Sequence, residues 1–343
     1  MHRGRRSSQV IAVSAGATLL LASCANDPGA GTDGEFPNGT VRIVVGSGPG
    51  STMDHLARGL APHLQDMWGE SVAVENVEGA NQSAGYHEVA NSDPDGHDLF
   101  IGVHGTFGIH EHLGNLEPGL EEFEWFGTLL EEPYAFHADA DGPFGSFDDL
   151  LDDQPIRYGD SGYESPVNPF ALTVFDTLDA DYVFTPGYDP GEAQSSVLTG
   201  EQDVVGRDAA QMLRTGTADD YEVLLVATEE EHPLAPDAMT FPELEDEYDV
   251  ELPVLDIFQL GFPIGTTPGT PEETVDILAD SVRELIEDDA QFQEWMEDNH
   301  MSESMQADRI GREVTQEHVA DVLEQYEDFG VTDLEERLGN GAN

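Results

Sequence analysis

The chain of 343 residues contains no lysine and one cysteine. A single cysteine excludes an internal disulfide and any cysteine-built metal site. The twelve basic residues are all arginine and face 71 Asp and Glu, giving a formal charge of −59. So few positive charges argue against nucleic acid as a partner, because phosphate binding needs clustered Lys and Arg. Without lysine there is no P-loop either. Hydrophobic content is only 38%, which with high net charge can signal disorder. Here, however, the apolar residues fall in regular strand and helix patterns, punctuated by 36 Gly and 20 Pro. The reading is a folded protein with an acidic skin, of about two domains at roughly 150 residues each. Such a surface repels itself at low ionic strength, whereas molar salt shortens the Debye length to about 3 Å. The composition therefore points to an extreme halophile.

The N-terminus reads as an address. Residues 1–24 are a lipoprotein signal peptide in appearance: Arg5 and Arg6 precede an apolar run from Val10 to Leu21, too short for a stable span. Leu21-Ala22-Ser23-Cys24 looks like a lipobox, with Cys24 as the lipidated first residue, and the paired Arg resembles a twin-arginine signal. An ordinary signal peptide with an incidental Cys is the alternative. Cleavage removes Arg3, Arg5 and Arg6 and no acid, making the exported form three charges more negative than −59. Residues 25–39, rich in Gly, Asp and Pro, read as a flexible tether. No later apolar run is long enough to span a membrane.

From Thr40 the pattern is strand and helix in alternation. Residues 40–45 read as a buried strand, GSGPGS (46–51) as a loop, and Met53, Leu56, Ala57, Leu60, Leu64 and Met67 as a helix stripe capped by Ser51 or Thr52. Strands over 71–75 and 98–103 bracket a helix over 84–91. Further strands are expected at 156–159, 182–184, 203–205, 223–227 and 255–264, with a helix from about Pro166 to Leu178 and a short one over 193–198. Two amphipathic helices, 272–287 and 315–329, close the chain, and the acidic run 229–251 reads as a solvated loop. The alternation predicts an α/β protein with a parallel sheet covered on both faces.

GSGPGS lies between a strand and a helix but has Ser51 where a dinucleotide fingerprint needs Gly. What remains is a Gly-rich turn exposing backbone N–H groups at a helix N-terminus, which attracts anions, or a turn with no further role. VVGSGPGSTMDHLAR (44–58) resembles the signature VVPFPPGGxxDxLAR of tripartite tricarboxylate transporter solute receptors, the TctC or Bug family. Pro49, Gly50, Asp54, Leu56, Ala57 and Arg58 match it; Gly46, Ser47, Gly48 and Ser51 replace its Pro, aromatic, Pro and Gly. VENVEGANQSAG (74–85), PDG (94–96), YGDSG (158–162), VLTGEQD (197–203), PLAPDAMTFPEL (233–244) and PGTPEETVDIL (268–278) resemble later blocks in order, so the likeness runs from about residue 37 to 330.

The resemblance implies a two-lobed periplasmic-binding-protein fold, a flytrap whose lobes close on a small carboxylate. By it, 40–140 with 255–330 form lobe 1, 141–254 lobe 2, and 331–343 a tail. Gly48, Pro49, Gly50, Ser51 and Asp54 would make the first-lobe loop; Gly79, Asn81, Gln82 and Ser83 the second; Ser161, Gly162, Tyr163 and Ser165 would face them from the other lobe. Arg207 is the best side-chain candidate for a bidentate carboxylate clamp, the alternative being a pairing with acids such as Asp208. Implied partners are a di- or tricarboxylate or aromatic acid, the large and small integral membrane subunits of the transporter, and the membrane through the lipid anchor. No nucleic acid, no cofactor and a monomer are expected.

His104, His110 and His112, with Glu111, are the one metal-like cluster: alternate His on a strand could share a face and bind zinc. Exposed loop histidines are the plainer reading, and His104 and Thr106 would still sit at a strand's C-terminal end, where α/β clefts bind ligands. No nucleophile elbow is present, since Ser161 sits in Gly-Asp-Ser-Gly. The sequons at Asn38 and Asn81 are weak. The expectation is a non-enzymatic, exported carboxylate receptor on the outer face of the cytoplasmic membrane. A surface zinc hydrolase built on the three histidines, or a sensory receptor without a transport role, are the alternatives.

Overall fold

The computed structural model describes residues 36–152, 155–188, 190–253, 256–330 and 334–340. The signal peptide, Cys24 and most of the tether lie outside the described residues, as does part of the tail. The tether's last residues join the fold: Phe36 packs edge-on to Trp68 and His97.

The elements run in the order β1 (Val41–Val45), α1 (Thr52–Trp68), β2 (Val72–Asn76), α2 (Ser83–Ala90), β3 (Asp98–Ile101), α3 (His104–His112), β4 (Glu124–Asp139), α4 (Phe147–Asp152), β5 (Ile156–Asp160) and α5 (Asn168–Thr177). Next come β6 (Tyr182–Pro186), α6 (Pro190–Leu198), β7 (Val205–Asp208), α7 (Gln211–Arg214), β8 (Tyr221–Val226) and α8 (Phe241–Tyr248). The chain closes with β9 (Gln259–Thr266), α9 (Glu272–Asp288), α10 (Ala290–Asp298), α11 (Arg312–Phe329) and α12 (Leu334–Asn340). Helix α1 shows the local logic. The Ser51 hydroxyl accepts the Asp54 N–H at 3.2 Å, Met53, Leu56, Ala57, Leu60 and Leu64 are buried, and Gly69 ends the helix at φ 72°.

The main sheet runs β2-β1-β3-β9-β4-β7, with β8 also on β4, and β5-β6 form a separate pair. It is mixed rather than parallel. β1 pairs in parallel with β2 and β3, but β9 is antiparallel to β3 and β4. The reason is geometric. Strand β4 leaves one hydrophobic core for the other and β9 returns, so they must run in opposite directions. Phe126, Leu129 and Leu130 of β4 pack with β1, α1 and α9, whereas Tyr134, Phe136 and Ala138 pack with α5 and α8. At about 3.3 Å per residue, the 16 residues of β4 reach across both cores. β9 likewise has Ile257 and Phe258 before it in one core and Phe262 and Ile264 in the other. This is a two-lobed α/β architecture with helices flanking the sheets.

Three further readings of the sequence need correction. Residues 104–112 form a helix, α3, whose Gly105 and Gly108 accept the ring of Tyr326 from α11; a Cβ at Gly108 would lie 2.5 Å from Tyr326 Cδ2. Within 229–251, residues 241–248 form α8, started by a Thr240–Glu243 capping box and held by buried Phe241 and Leu244. Strand β7 lies at 205–208 rather than 203–205, so Arg207 is a strand residue opposite Ala135 of β4, not a loop residue. Among the described residues, no helix is long and apolar enough to cross a membrane.

Candidate functional site

A cavity of about 480 Å³ opens between the two cores. Tyr134, Leu260 and Phe262, from the strands that connect the lobes, contribute to its lining. Gly46, Gly48, Ser51, Glu78, Asn81, Gln82 and Thr106 contribute from one side; Asp160, Ser161, Ser165, Gly206 and Arg207 from the other. Four helices begin at this cavity: α1 through Ser51 to Met53, α2 through Gln82, α3 through Val103 and Thr106, and α5 through Pro166 and Val167. Helix N-termini carry unpaired N–H groups and the positive end of the helix dipole, so their convergence favours an anion.

The walls are built by groups behind them. Asp54 is 4% exposed and accepts from the Gly50 N–H at 2.9 Å, Asn76 Nδ2 at 2.9 Å and Arg58 Nε at 3.0 Å. Burial would raise its pKa, but these donors, Arg58 foremost, outweigh burial and lower it. Asn76 also donates to the Ser47 carbonyl at 2.9 Å, so one buried carboxylate and one amide hold the whole 47–51 turn. In the second loop Gly79, Ala80, Asn81 and Gln82 all have positive φ, from 46° to 133°. Three consecutive non-glycine residues in that region are strained. The Ser83 hydroxyl donates to the Ala80 carbonyl at 2.8 Å, and Gln82 Oε1 accepts the Val103 N–H at 3.1 Å. Gly46 permits this packing, since a Cβ there would stand 2.8 Å from Gln82 Cβ. In the opposite lobe Asn168, fully buried, donates to the Gly162 and Tyr163 carbonyls at 2.9 and 3.0 Å and accepts from Tyr158.

Of the residues singled out from the sequence, Gly48, Ser51, Asn81, Gln82, Thr106, Ser161, Ser165 and Arg207 line the cavity. Pro49 and Gly50 are exposed beside it, and Asp54 and Ser83 brace the loops from behind. Gly162 and Tyr163 also stand off the lining; the Tyr163 ring packs 5.5 Å from that of Phe184. His104 is turned away, with Nε2 2.8 Å from the Gln259 carbonyl. The three histidines do not converge. His112 Nδ1 bonds the Gly108 carbonyl at 2.8 Å, and His110 lies 3.3 Å from the Asn115 amide. His104 and His110 are buried rather than exposed, and burial lowers the pKa of both, that of His104 to about 4.

Arg207 lines the cavity already engaged. Nη1 donates to Asp160 Oδ2 at 2.6 Å, with both side chains largely buried. Burial disfavours its charged form, but the Asp160 carboxylate more than compensates, raising the pKa and keeping the guanidinium ionised. Its partner is Asp160, not Asp208, which is bound by Arg214. Asp160 and Tyr134 are lining residues that the sequence reading passed over. Asp160 sits in the quoted YGDSG block at the end of β5, so a signal was present; Tyr134 lies on β4, a strand that went unrecognised. Tyr134 lines the cavity, but it is 3% exposed and its hydroxyl is buried without a hydrogen-bond partner.

This fold is that of the two-lobed periplasmic solute-binding proteins. A TctC solute-binding protein from Polaromonas, solved without ligand, superposes with TM-score 0.64 at 20% identity over 86% of this chain and 99% of that one. MatC from Rhodopseudomonas palustris with bound malate gives TM-score 0.68 at 23% identity, over 86% of this chain and 99% of that one. Another R. palustris protein, with adipate, gives 0.69 at 18% identity, over 89% and 99%. By sequence, the chain is 26% identical over 216 residues to a UPF0065 protein from the TAR-I ttuE-ttuC' intergenic region of Agrobacterium vitis, 61% of this chain and 62% of that protein. It is 28% identical over 152 residues to a UPF0065 protein of Bordetella pertussis, 43% of this chain and 46% of that one. The chain thus spans under two thirds of the length of either relative. No family model matches it.

Proposed function

We propose that this chain is a TctC/Bug-type extracytoplasmic receptor that captures a small organic carboxylate between its lobes and hands it to a tripartite tricarboxylate transporter. The observation that carries this reading is the meeting of four helix N-termini and an arginine in one cavity between the two cores. A chain of −59 can take up an anion there because local N–H dipoles act at contact distance, while salt screens the remote carboxylates. The malate and adipate carried by two proteins of the same fold support the ligand class. Closure would follow from one carboxylate touching both lobes, which shifts the population toward the closed form. Solved proteins of the same fold are solute-binding proteins, which supports reading this chain as a receptor rather than an enzyme.

Export, lipidation of Cys24, anchoring to the outer face of the membrane, a monomeric state and delivery to the two integral transporter subunits complete the proposal. Thermal-shift screening of dicarboxylates, tricarboxylates and aromatic acids, at constant molar salt, tests it. Saturable stabilisation by one acid is expected; an absence of response to every acid contradicts it. The halophilic reading predicts loss of native circular dichroism on dialysis into millimolar salt, and full retention would refute it.

A further inference from the structure

The predicted histidine cluster dissolves, but His104 joins another. A ring nitrogen of His104 on α3, a carboxylate oxygen of Glu131 on β4 and a ring nitrogen of His318 on α11 lie within 4.8 Å of one another. His104 is 4% exposed. Its Nε2 is engaged by the Gln259 carbonyl at 2.8 Å, and its Nδ1 is buried with no hydrogen-bond partner. His318 Nε2 and Glu131 Oε1 stand 3.1 Å apart, yet neither has a partner in hydrogen-bond geometry. Three side chains that can each offer a lone pair thus face one another from three elements, His318 and Glu131 as an ion pair and His104 Nδ1 with no partner.

We infer that His104 Nδ1, His318 Nε2 and Glu131 Oε1 bind one divalent cation of the zinc class. Two imidazoles and one carboxylate are the donor set such ions prefer, leaving a fourth position for water. Tetrahedral zinc with bonds of 2.0–2.1 Å needs donors roughly 3.3 Å apart. Glu131 and His318, 3.1 Å apart, already meet that spacing, and His104 within 4.8 Å must draw closer on binding. The surroundings suit a ligand set. His104 Nε2 sits 2.8 Å from the Gln259 carbonyl and 3.1 Å from the Gly261 N–H, and the tautomer that donates to Gln259 is the one that leaves Nδ1 basic for an ion. Arg309 Nη1 sits 2.5 Å from Glu131 Oε2 and orients the carboxylate, leaving Oε1 for the ion. Arg309 opposes a cation, whereas Asp256, close enough to bias both histidines, favours one. None of the three donors lines the interlobe cavity, so the ion would not touch the captured acid. It would instead clamp α3 and α11 to β4 where the chain passes between the lobes, and it holds whether or not the ligand is a carboxylate.

The test uses the whole exported chain, stripped with chelator, in molar salt. Calorimetry with zinc is expected to show one saturable site. Cobalt is expected to give the visible ligand-field band of a site with imidazole donors. Glu131→Gln and His318→Gln should each weaken zinc at least tenfold and abolish the cobalt band, while a large excess of calcium should leave it intact. His318 is partly exposed, so its variant keeps the test open if His104→Ala does not fold. Zinc binding that is absent, non-saturable, or unchanged in the folded Glu131→Gln/His318→Gln double variant overturns the inference. A response confined to the many surface carboxylates would appear as calcium-sensitive binding without a ligand-field band, and that result also overturns it.

Discussion

Replacing Asp160 by Asn should make the protein less stable and yet a tighter binder of organic acids. Asp160 Oδ1 accepts the Ser161 N–H at 2.6 Å and Oδ2 accepts Arg207 Nη1 at 2.6 Å. Asparagine can keep the first bond but then turns its amide NH₂ against the guanidinium, displacing Arg207 into the cavity. Breaking a buried ion pair costs about 3–5 kcal/mol, read from urea unfolding at constant salt. In the cavity the sign reverses, because a carboxylate that repels the incoming acid is gone. At roughly 6 Å and an effective dielectric of about 20, that repulsion is about 3 kcal/mol before screening. A Debye length of about 3 Å at molar salt reduces it to roughly 0.4 kcal/mol, or about twofold in affinity. Isothermal calorimetry with adipate or malate reads the change, which should grow as salt is lowered. Unchanged or weaker binding by the folded variant would show that Arg207 serves Asp160 alone and takes no part in recognition.

Tyr134→Phe removes only the buried, unpartnered hydroxyl of a lining residue; if closure on the acid brings that hydroxyl to donate to it, affinity should fall by about 1.5–3 kcal/mol with stability nearly unchanged, as calorimetry and urea unfolding would show. His137, fully buried on β4, has its pKa pushed down to about 4, chiefly by burial and also by the nearby Arg207 charge. The unfolded state protonates near pH 6.5, before the folded one, so stability should be full above that pH and decline toward pH 4. A gap of about 2.5 units is worth roughly 3 kcal/mol. Urea midpoints measured across that range should flatten in His137→Gln; an equally steep profile would assign the dependence to other groups.

The sequence displayed the parts of the fold whose pattern is local. Helix α1 carries its stripe, its Ser51 cap and its Gly69 stop within twenty residues, and β1 is a continuous apolar run. Strand β4 was hidden because it is buried on both faces and so lacks alternation. It also carries Glu131, Glu132 and Pro133, which read as loop. Those glutamates are tolerated only because Arg309, Arg214 and three histidines or serines reach them from elements far away in sequence. The same blindness affected the site. The loop residues at 48, 51, 81, 82, 161 and 165 were legible, since Gly-rich turns before helices announce themselves. Tyr134, Leu260 and Phe262 were not, because their place on the cavity depends on the pairing of β4 with β9. Arg207 lines the cavity, and an acid partner was one of its two readings, but that the acid is Asp160 rather than Asp208 was not legible, since the pairing joins β7 to the end of β5 across 47 residues.

The most direct measurement is a crystal structure of the chain grown in molar salt with adipate or malate at saturation. The account predicts the acid between the lobes, its oxygens within hydrogen-bond distance of N–H groups at the starts of α1, α2 or α5, with Tyr134 and Arg207 against it. An acid bound elsewhere, or a cavity left without acid while calorimetry shows binding, would contradict it.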